Sequence, residues 1–188
     1  MYDTPHVMDK TNPLFRTKAT VIGAMQHGSN GRSIRAEMTA QLGKYGIVVY
    51  DHYNKPFIEA VREDEDRREY MKSLLENGEY DKLSALRNIR TFDLKLIDIS
   101  DFIVFVFDPK VPTCGSWEEF FWANRAKKPI FFINPSGKKT TPFWVFWTIP
   151  HKYIYESVED FYQVIDNICT GRHPIDNERW KLLKLEYR

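Results

Sequence analysis

The chain has few cysteines: only Cys114 and Cys169 occur in 188 residues. Two thiols predict neither a disulfide framework nor a zinc site. The five histidines show no metal-ligand spacing. We therefore expect no bound metal. Because reduced cysteines are the rule in a reducing compartment, we expect a cytoplasmic protein.

Charge of one sign and long apolar runs are also lacking. The 27 basic and 26 acidic residues leave a net charge of +1. This balance provides neither the basic field that attracts a nucleic acid polymer nor the acidic excess of a disordered tail. No apolar run approaches the roughly 20 residues that span a bilayer. Residues 1–18 are polar and lack the apolar core of a signal peptide. We expect no nucleic acid polymer and no membrane as a partner.

The hydrophobic share of 43% in a chain of this length predicts one globular domain with a full core. Apolar runs and helical periodicity alternate along it. Strands are predicted at 19–25, 47–50, 102–107, 129–133 and 152–155, and helices at 32–45, 81–99, 116–127 and from Ser157 onward. Strands separated by helices form βαβ units. The pattern therefore predicts a single Rossmann-like or flavodoxin-like α/β domain with a five-stranded parallel sheet.

The predicted domain occupies residues 19–170, with an N-terminal arm at 1–18 and a C-terminal tail at 171–188. Within it, residues 57–86 form a charged helical insertion that carries a run of mixed charge at 63–69. Such a run is typical of a solvated helix face. The alternative is a lid or a partner contact over the site.

The most informative stretch is Gly115-Ser116-Trp117-Glu118-Glu119, which lies between two predicted buried strands. It presents one or two carboxylates at a helix start, beside the carboxyl end of a strand, where ligands bind in open parallel sheets. A carboxylate there can act as a nucleophile or a base. Alternatively, the two glutamates only complement the positive end of the helix.

Four acidic residues, Asp93, Asp101, Asp108 and Glu119, lie on segments that we expect to converge on one end of the sheet. Asp101 opens a strand and alternatively serves only to cap or turn the chain. Two or more carboxylates around a sugar suit chemistry at its anomeric carbon, where one attacks and others hold hydroxyls or move protons. Cys114 is a second candidate nucleophile, but no arginine follows within residues 115–120, as a cysteine phosphatase requires.

The loop after the first strand has glycines at 23, 28 and 31, in neither a G-x-G-x-x-G nor a P-loop spacing. A small-residue loop before a helix can bind phosphate or sugar hydroxyls through backbone N–H groups. Arg35 in that helix is either solvated or an anion contact, as is Arg32. The loop's candidate substrate-binding residues are Gly23, His27, Gly28, Ser29 and Arg32.

These residues together resemble the nucleoside 2-deoxyribosyltransferase family. The pattern of this family begins with an aspartate followed by a hydrophobic residue on a helix, and then has an aspartate that begins a strand. A Gly-Thr/Ser-x-x-Glu stretch follows. After two further residues come an aromatic residue and an alanine, and a Lys-Pro pair precedes the next strand. The resemblance covers roughly residues 19–165. The matching residues here are Asp93-Leu94, Asp101-Phe102, the 115–119 stretch with Trp122-Ala123, and Lys128-Pro129.

The resemblance implies that Glu119 is the nucleophile and that Asp93 binds the sugar hydroxyls and orients it. Further substrate contacts are expected from Asp108, Gly115, Ser116 and Trp117, where Trp117 or Phe120 stacks on the base. The expected function is cleavage or transfer at the N-glycosidic bond of a deoxyribonucleoside or its monophosphate. No cofactor is implied. A second class of enzyme, the phosphoribohydrolases, is similar but has paired glycines that residues 112–115 lack.

Several positions depart from the family pattern. A tyrosine common in the first loop is absent from residues 26–31, and residues 142–147 lack the asparagine that some members supply from a neighbouring subunit. These departures favour the alternative function, a non-catalytic nucleotide-binding or sensing protein on the same scaffold. Residues 143–147 are too apolar for an exposed patch. We expect them in the core or against a second subunit of a homodimer or higher homo-oligomer.

Overall fold

The computed structural model describes residues 12–23, 31–53, 55–57, 63 and 65–173, with only the backbone of residues 31, 32 and 65. His27, Gly28 and Ser29 therefore lie outside the described residues, as do most of the predicted arm and tail. The side chain of Arg32 is also outside them.

The described chain folds into one five-stranded parallel sheet with helices between the strands, which confirms the predicted α/β class. The strand order is β2-β1-β3-β4-β5, the flavodoxin-like order of a doubly wound sheet. The strands are β1 (Lys18–Gly23), β2 (Val48–Tyr50), β3 (Phe102–Val106), β4 (Ile130–Ile133) and β5 (Ile154–Tyr155). The helices are α1 (Gly31–Gly43), α2 (Glu65–Glu76), α3 (Tyr80–Ala85), α4 (Asn88–Ile99), α5 (Cys114–Arg125), α6 (Phe143–Thr148) and α7 (Val158–Cys169).

The central strands β3 and β4 are apolar at every position because helices cover both faces of a parallel sheet. Their aromatic rings pack against each other, as in the edge-to-face contact of Phe102 with Phe131 at 5.6 Å between ring centroids. Among the described residues, no helix is long and apolar enough to cross a membrane.

The outer helices meet the sheet through the faces that their periodicity predicts. Met38 and Leu42 of α1 are fully buried, whereas Ile34 at its start is 36% exposed. In α7, Phe161 and Ile165 are buried. Ser157, at the predicted start of this helix, is its N-cap, because its side chain accepts a hydrogen bond from the backbone N–H of Asp160.

The predicted single helix over residues 81–99 is wrong, because the chain turns at Leu86 and Arg87 and forms α3 and α4 instead. Around this break the backbone makes i→i−3 bonds, from Leu86 to Leu83 and from Arg87 to Ser84. No residue of α3 is buried. No contact with the core therefore holds residues 80–85 in line with α4. Because periodicity does not show which residues the core covers, it predicted a helix that is too long.

The aromatic segment 143–147 does not enter the core. It forms the short helix α6, where Val145 alone is buried. The exposed fractions of Phe143, Trp144 and Trp147 are 76%, 63% and 73%. The structure thus contradicts the first of the two predicted environments for this segment, burial in the core.

Candidate functional site

A cleft of about 220 Å³ lies at the carboxyl ends of β1 and β3, on the side of the sheet where α5 begins. Ligand sites in doubly wound sheets occur at this edge. The described residues that line the cleft are Gly23, Arg35, His52, Glu63, Arg68, Arg90, Asp93, Val111, Pro112, Thr113, Cys114, Gly115, Ser116 and Glu119.

Glu119 lies in the second turn of α5 and is only 4% exposed. Its Oε1 contacts His52 Nε2 at 3.1 Å and accepts a hydrogen bond from Arg90 Nη1 at 2.8 Å. Its Oε2 accepts no hydrogen bond from another described residue. One oxygen is thus fixed by two partners, while no described residue uses the lone pairs of the other.

The environment of Glu119 keeps its carboxyl ionised. Burial opposes ionisation, but the charges of His52 and Arg90 and their hydrogen bonds outweigh it and lower the pKa of Glu119. A buried carboxylate held in its charged form is the state that a nucleophile requires.

The neighbouring Glu118 has a different environment. Its side chain is half exposed and makes an ion pair with Arg90 Nε at 2.6 Å on the rim of the cleft. Because the two glutamates are consecutive in a helix, their side chains point about 100° apart around the axis. Of the two glutamates, only Glu119 therefore lines the cleft.

Asp93 lies on the face of α4 that points toward α5, and it is 7% exposed. Its Oδ1 is 2.7 Å from Lys55 Nζ, and its Oδ2 is 3.4 Å from Arg90 Nη1. The same guanidinium nitrogen contacts Glu119. The structure thus brings the two predicted catalytic residues, Asp93 and Glu119, to one cation.

Arg90 fixes the geometry of this side of the cleft. Besides its contacts with the carboxylates, its Nη2 donates to the backbone carbonyl of Gly115 at 2.7 Å. Gly115 is close enough to Arg90 that an added Cβ would lie 3.3 Å from Nη1. The glycine of the Gly-Ser-x-x-Glu stretch therefore allows a guanidinium to approach the start of α5.

Lys55 is buried between two carboxylates. Its Nζ contacts Glu63 Oε1 at 2.6 Å as well as Asp93. Burial and the charge of Asp93 raise the pKa of Glu63, even though Lys55 acts in the opposite direction. Glu63 belongs to the charged run at 63–69, so this run is not purely a solvated face: Arg68 also lines the cleft.

Gly23 ends β1 at a point of close backbone approach. Its φ is +145°, and a Cβ there would lie 2.0 Å from the carbonyl oxygen of Val106. The carbonyl of Gly23 accepts a hydrogen bond from Ser116 Oγ at 3.1 Å. These two predicted site residues therefore join the end of β1 to the start of α5, and both line the cleft.

Three predicted residues are not brought to the cleft. Asp101 lies at the opposite edge of the sheet, where its Oδ2 accepts from the backbone N–H of Lys18 at 2.8 Å, so its predicted convergence with the other acids is wrong. Asp108 accepts a bond from the backbone N–H of Lys110 in the turn after β3. Trp117 packs on Phe105 at 5.0 Å between centroids, within the aromatic core.

The residues that the sequence did not single out are His52, Lys55, Arg90 and Glu63. His52 follows β2 at the carboxyl edge of the sheet, which is the one signal that pointed to it. Arg90 precedes Asp93 by three positions and so shares its helix face. No sequence pattern connects Lys55 to Asp93, because α2 and α3 lie between them in the chain and only the folded structure brings the two side chains together.

The described residues include no group of three or more His, Cys, Asp or Glu side chains with a metal-binding arrangement. No family model matches the chain, and no curated protein sequence matches it. The resemblance to the nucleoside 2-deoxyribosyltransferase family therefore depends on the motif residues alone.

Proposed function

We propose that the protein cleaves the N-glycosidic bond of a deoxyribonucleoside or its monophosphate with Glu119 as the nucleophile. The observation that carries this proposal is the ionised, buried Glu119 carboxylate, which lines the cleft and has one oxygen without a described hydrogen-bond partner. Asp93 supports it, since a second carboxylate lies on the same cation.

In the proposed reaction, Oε2 of Glu119 attacks C1′ of the sugar. The new ester bond forms as the C1′–N bond breaks, and its electron pair leaves with the base, which takes up a proton. In the second step the ester bond breaks and frees the Glu119 carboxylate, as C1′ bonds to a nitrogen of a second base in a transferase or to the oxygen of water in a hydrolase. The acceptor gives up a proton, which balances the one that the leaving base took up. Arg90 and His52 hold Oε1 in place. Because both oxygens belong to one carboxylate, this also orients the attacking Oε2 before the transition state is reached.

Asp93 holds the sugar hydroxyls in this proposal. Its two ion-pair partners, Lys55 and Arg90, fix the direction of the buried carboxylate. The cleft needs no bound cofactor for this reaction, since both bond changes occur between the carboxylate, the sugar and the base.

A second candidate function is nucleotide binding without catalysis. The observation that favours it is the engagement of Glu119 with both His52 and Arg90 at 3.1 and 2.8 Å. Such an ion-paired carboxylate is also a common structural element. One panel of substrates tests both candidate functions.

That test is incubation with deoxyribonucleosides and their monophosphates, with and without an acceptor base, followed by chromatography. Free base without acceptor indicates hydrolysis, and base exchange indicates transfer. Calorimetric binding of a nucleotide without release of base from any substrate would support the second candidate and contradict the first.

The exposed aromatic side chains of α6 support a homodimer as part of this proposal. Phe143 and Trp147 stack with their centroids 6.4 Å apart and are both largely exposed. A contiguous apolar patch of this kind is characteristic of an interaction surface. We expect light scattering to give the mass of a dimer at micromolar concentration, and the double variant Phe143→Ser, Trp147→Ser to give a monomer. A monomeric wild-type protein would contradict the assembly.

A further inference from the structure

Two guanidinium groups of the cleft retain buried N–H donors that no described residue accepts. Arg35, on α1, is 5% exposed and uses Nη1 to donate to Asp51 at 3.0 Å. Its Nε and Nη2 have no hydrogen-bond partner among the described residues, and neither does Nε of Arg68. Both arginines line the cleft. Unpaired buried donors on a charged group are costly, so a partner of opposite charge is expected.

Both guanidinium groups pack on the ring of Tyr53. The Cζ atoms of Arg35 and Arg68 lie 5.3 and 4.6 Å from its centroid. Contact with an aromatic face holds a guanidinium through its π-system and leaves its N–H donors unused. Tyr53 therefore fixes two cations side by side while their donors remain unused.

The other buried cations of the cleft are already neutralised. Arg90 is bound to Glu118, Glu119 and the carbonyl of Gly115. Lys55 lies between Glu63 and Asp93. The unused N–H donors are thus concentrated on the two cleft arginines beside Tyr53, although Arg35 already forms one ion pair with Asp51 at 3.0 Å.

The compensation of Arg35 by protein groups is incomplete. Burial lowers the pKa of its guanidinium, and the opposing effects of Asp51, Tyr53 and Glu119 do not restore it. An arginine nevertheless stays charged at neutral pH. An anionic ligand would supply acceptors for the donors that Asp51 leaves unused.

We infer that Arg35 and Arg68 form a subsite for a phosphomonoester dianion. The planar forks of two arginines match the oxygens of a phosphate group, and the resulting hydrogen bonds are charge-assisted. The inference extends the proposed function: a deoxyribonucleoside monophosphate whose sugar lies at Glu119 places its phosphate on these arginines. Free phosphate offers the same chemistry, so the test distinguishes the two sources.

The first arm of the test is calorimetric titration of the protein with inorganic phosphate at constant ionic strength. We expect binding, and we expect Arg68→Gln and Arg35→Lys each to weaken it by roughly tenfold or more. Arg68 is half buried, so its variant keeps the test valid if Arg35→Lys fails to fold. The matched control is Arg67→Gln, which removes the same charge from the adjacent position, where Arg67 stacks on Tyr70 instead. Absent phosphate binding, or equal weakening in all three variants, would overturn the inference.

The second arm compares kcat/KM for a deoxyribonucleoside with that for its 5′-monophosphate. A preference for the monophosphate that disappears in Arg68→Gln assigns the subsite to the substrate's own phosphate. Equal use of both substrates, together with arginine-dependent phosphate binding, assigns it to a separate phosphate ligand. Phosphate binding without base release from any substrate would leave the subsite intact and refute the proposed function. Base release without phosphate binding would refute the phosphate subsite and leave the proposed function intact.

Discussion

The two edges of the same sheet both bury charged side chains, but they satisfy them differently. At the amino edge, Lys128 Nζ donates to the backbone carbonyls of Asp98 and Ser100, at 2.8 and 2.5 Å. At the carboxyl edge, Glu119 and Asp93 are paired with other side chains. Contacts with backbone carbonyls stabilise one arrangement of the chain, whereas side-chain pairs can exchange partners with a ligand.

The difference shows which buried charges belong to the fold and which to a site. Around Lys128, Thr20 and Ser100 also bond each other at 2.7 Å, and Asp101 accepts from the backbone of Lys18. At the cleft, donors of Arg35 remain without a described acceptor. A buried charge is thus a better indicator of function when its surroundings leave it partly unsatisfied.

The largest effect is expected at the proposed nucleophile of the carboxyl edge. Glu119→Gln should abolish base release, by on the order of a thousandfold or more, because a neutral amide cannot form the glycosyl ester. Chromatography of the released base measures it, and circular dichroism checks the fold. The matched control is Glu118→Gln, which should be tolerated. An active Glu119→Gln together with an inactive Glu118→Gln would show that the nucleophile is the other glutamate.

Asp93→Asn should lower kcat more than it raises KM. The amide keeps the size of the side chain but loses the charge that Lys55 and Arg90 fix, and a misplacement of about 1 Å can cost on the order of a hundredfold in rate. Separate measurement of kcat and KM decides the prediction, with exposed Asp81→Asn as the control. An unchanged kcat would remove Asp93 from the catalytic site.

At the amino edge, Lys128→Met should affect stability and not activity. The variant leaves the carbonyls of Asp98 and Ser100 without their donor, which typically costs about 1–3 kcal/mol in the free energy of unfolding. Urea denaturation measures this change, and base release by the folded variant should match that of the wild type. A loss of activity without a loss of stability would break the distinction between the two edges.

The smallest effect is a pH dependence of stability at the carboxyl edge. The folded-state pKa of Glu119 is lowered, so its contribution to stability is complete above the unfolded value, about 4.3, and is lost as the pH falls through the folded value. The difference in unfolding free energy between wild type and Glu119→Gln should therefore shrink as the pH is lowered below that value. Denaturation curves at several pH values measure it. A difference that grows toward low pH would contradict the assigned ion pairs.

The sequence by itself determined the order of the five strands along the chain and the parallel α/β class, because apolar runs that alternate with helical periodicity have few compatible packings. It also indicated Glu119 and Asp93, since both hold positions of the family pattern that the sequence resembles. Helix bounds were less well determined. The break between α3 and α4 depends on which residues the core covers, and periodicity carries no information on that.

The partners of Glu119 were decided only by the tertiary structure. His52 is 67 residues from Glu119 and Arg90 is 29, and the parallel crossovers that bring them together depend on the strand order. The burial of Arg35 is likewise a property of the assembled cleft, since the same residue on a solvated helix would leave no donor unpaired. Chemistry that is local in the chain can be read from the sequence, whereas the electrostatic environment that controls it results from contacts between distant segments.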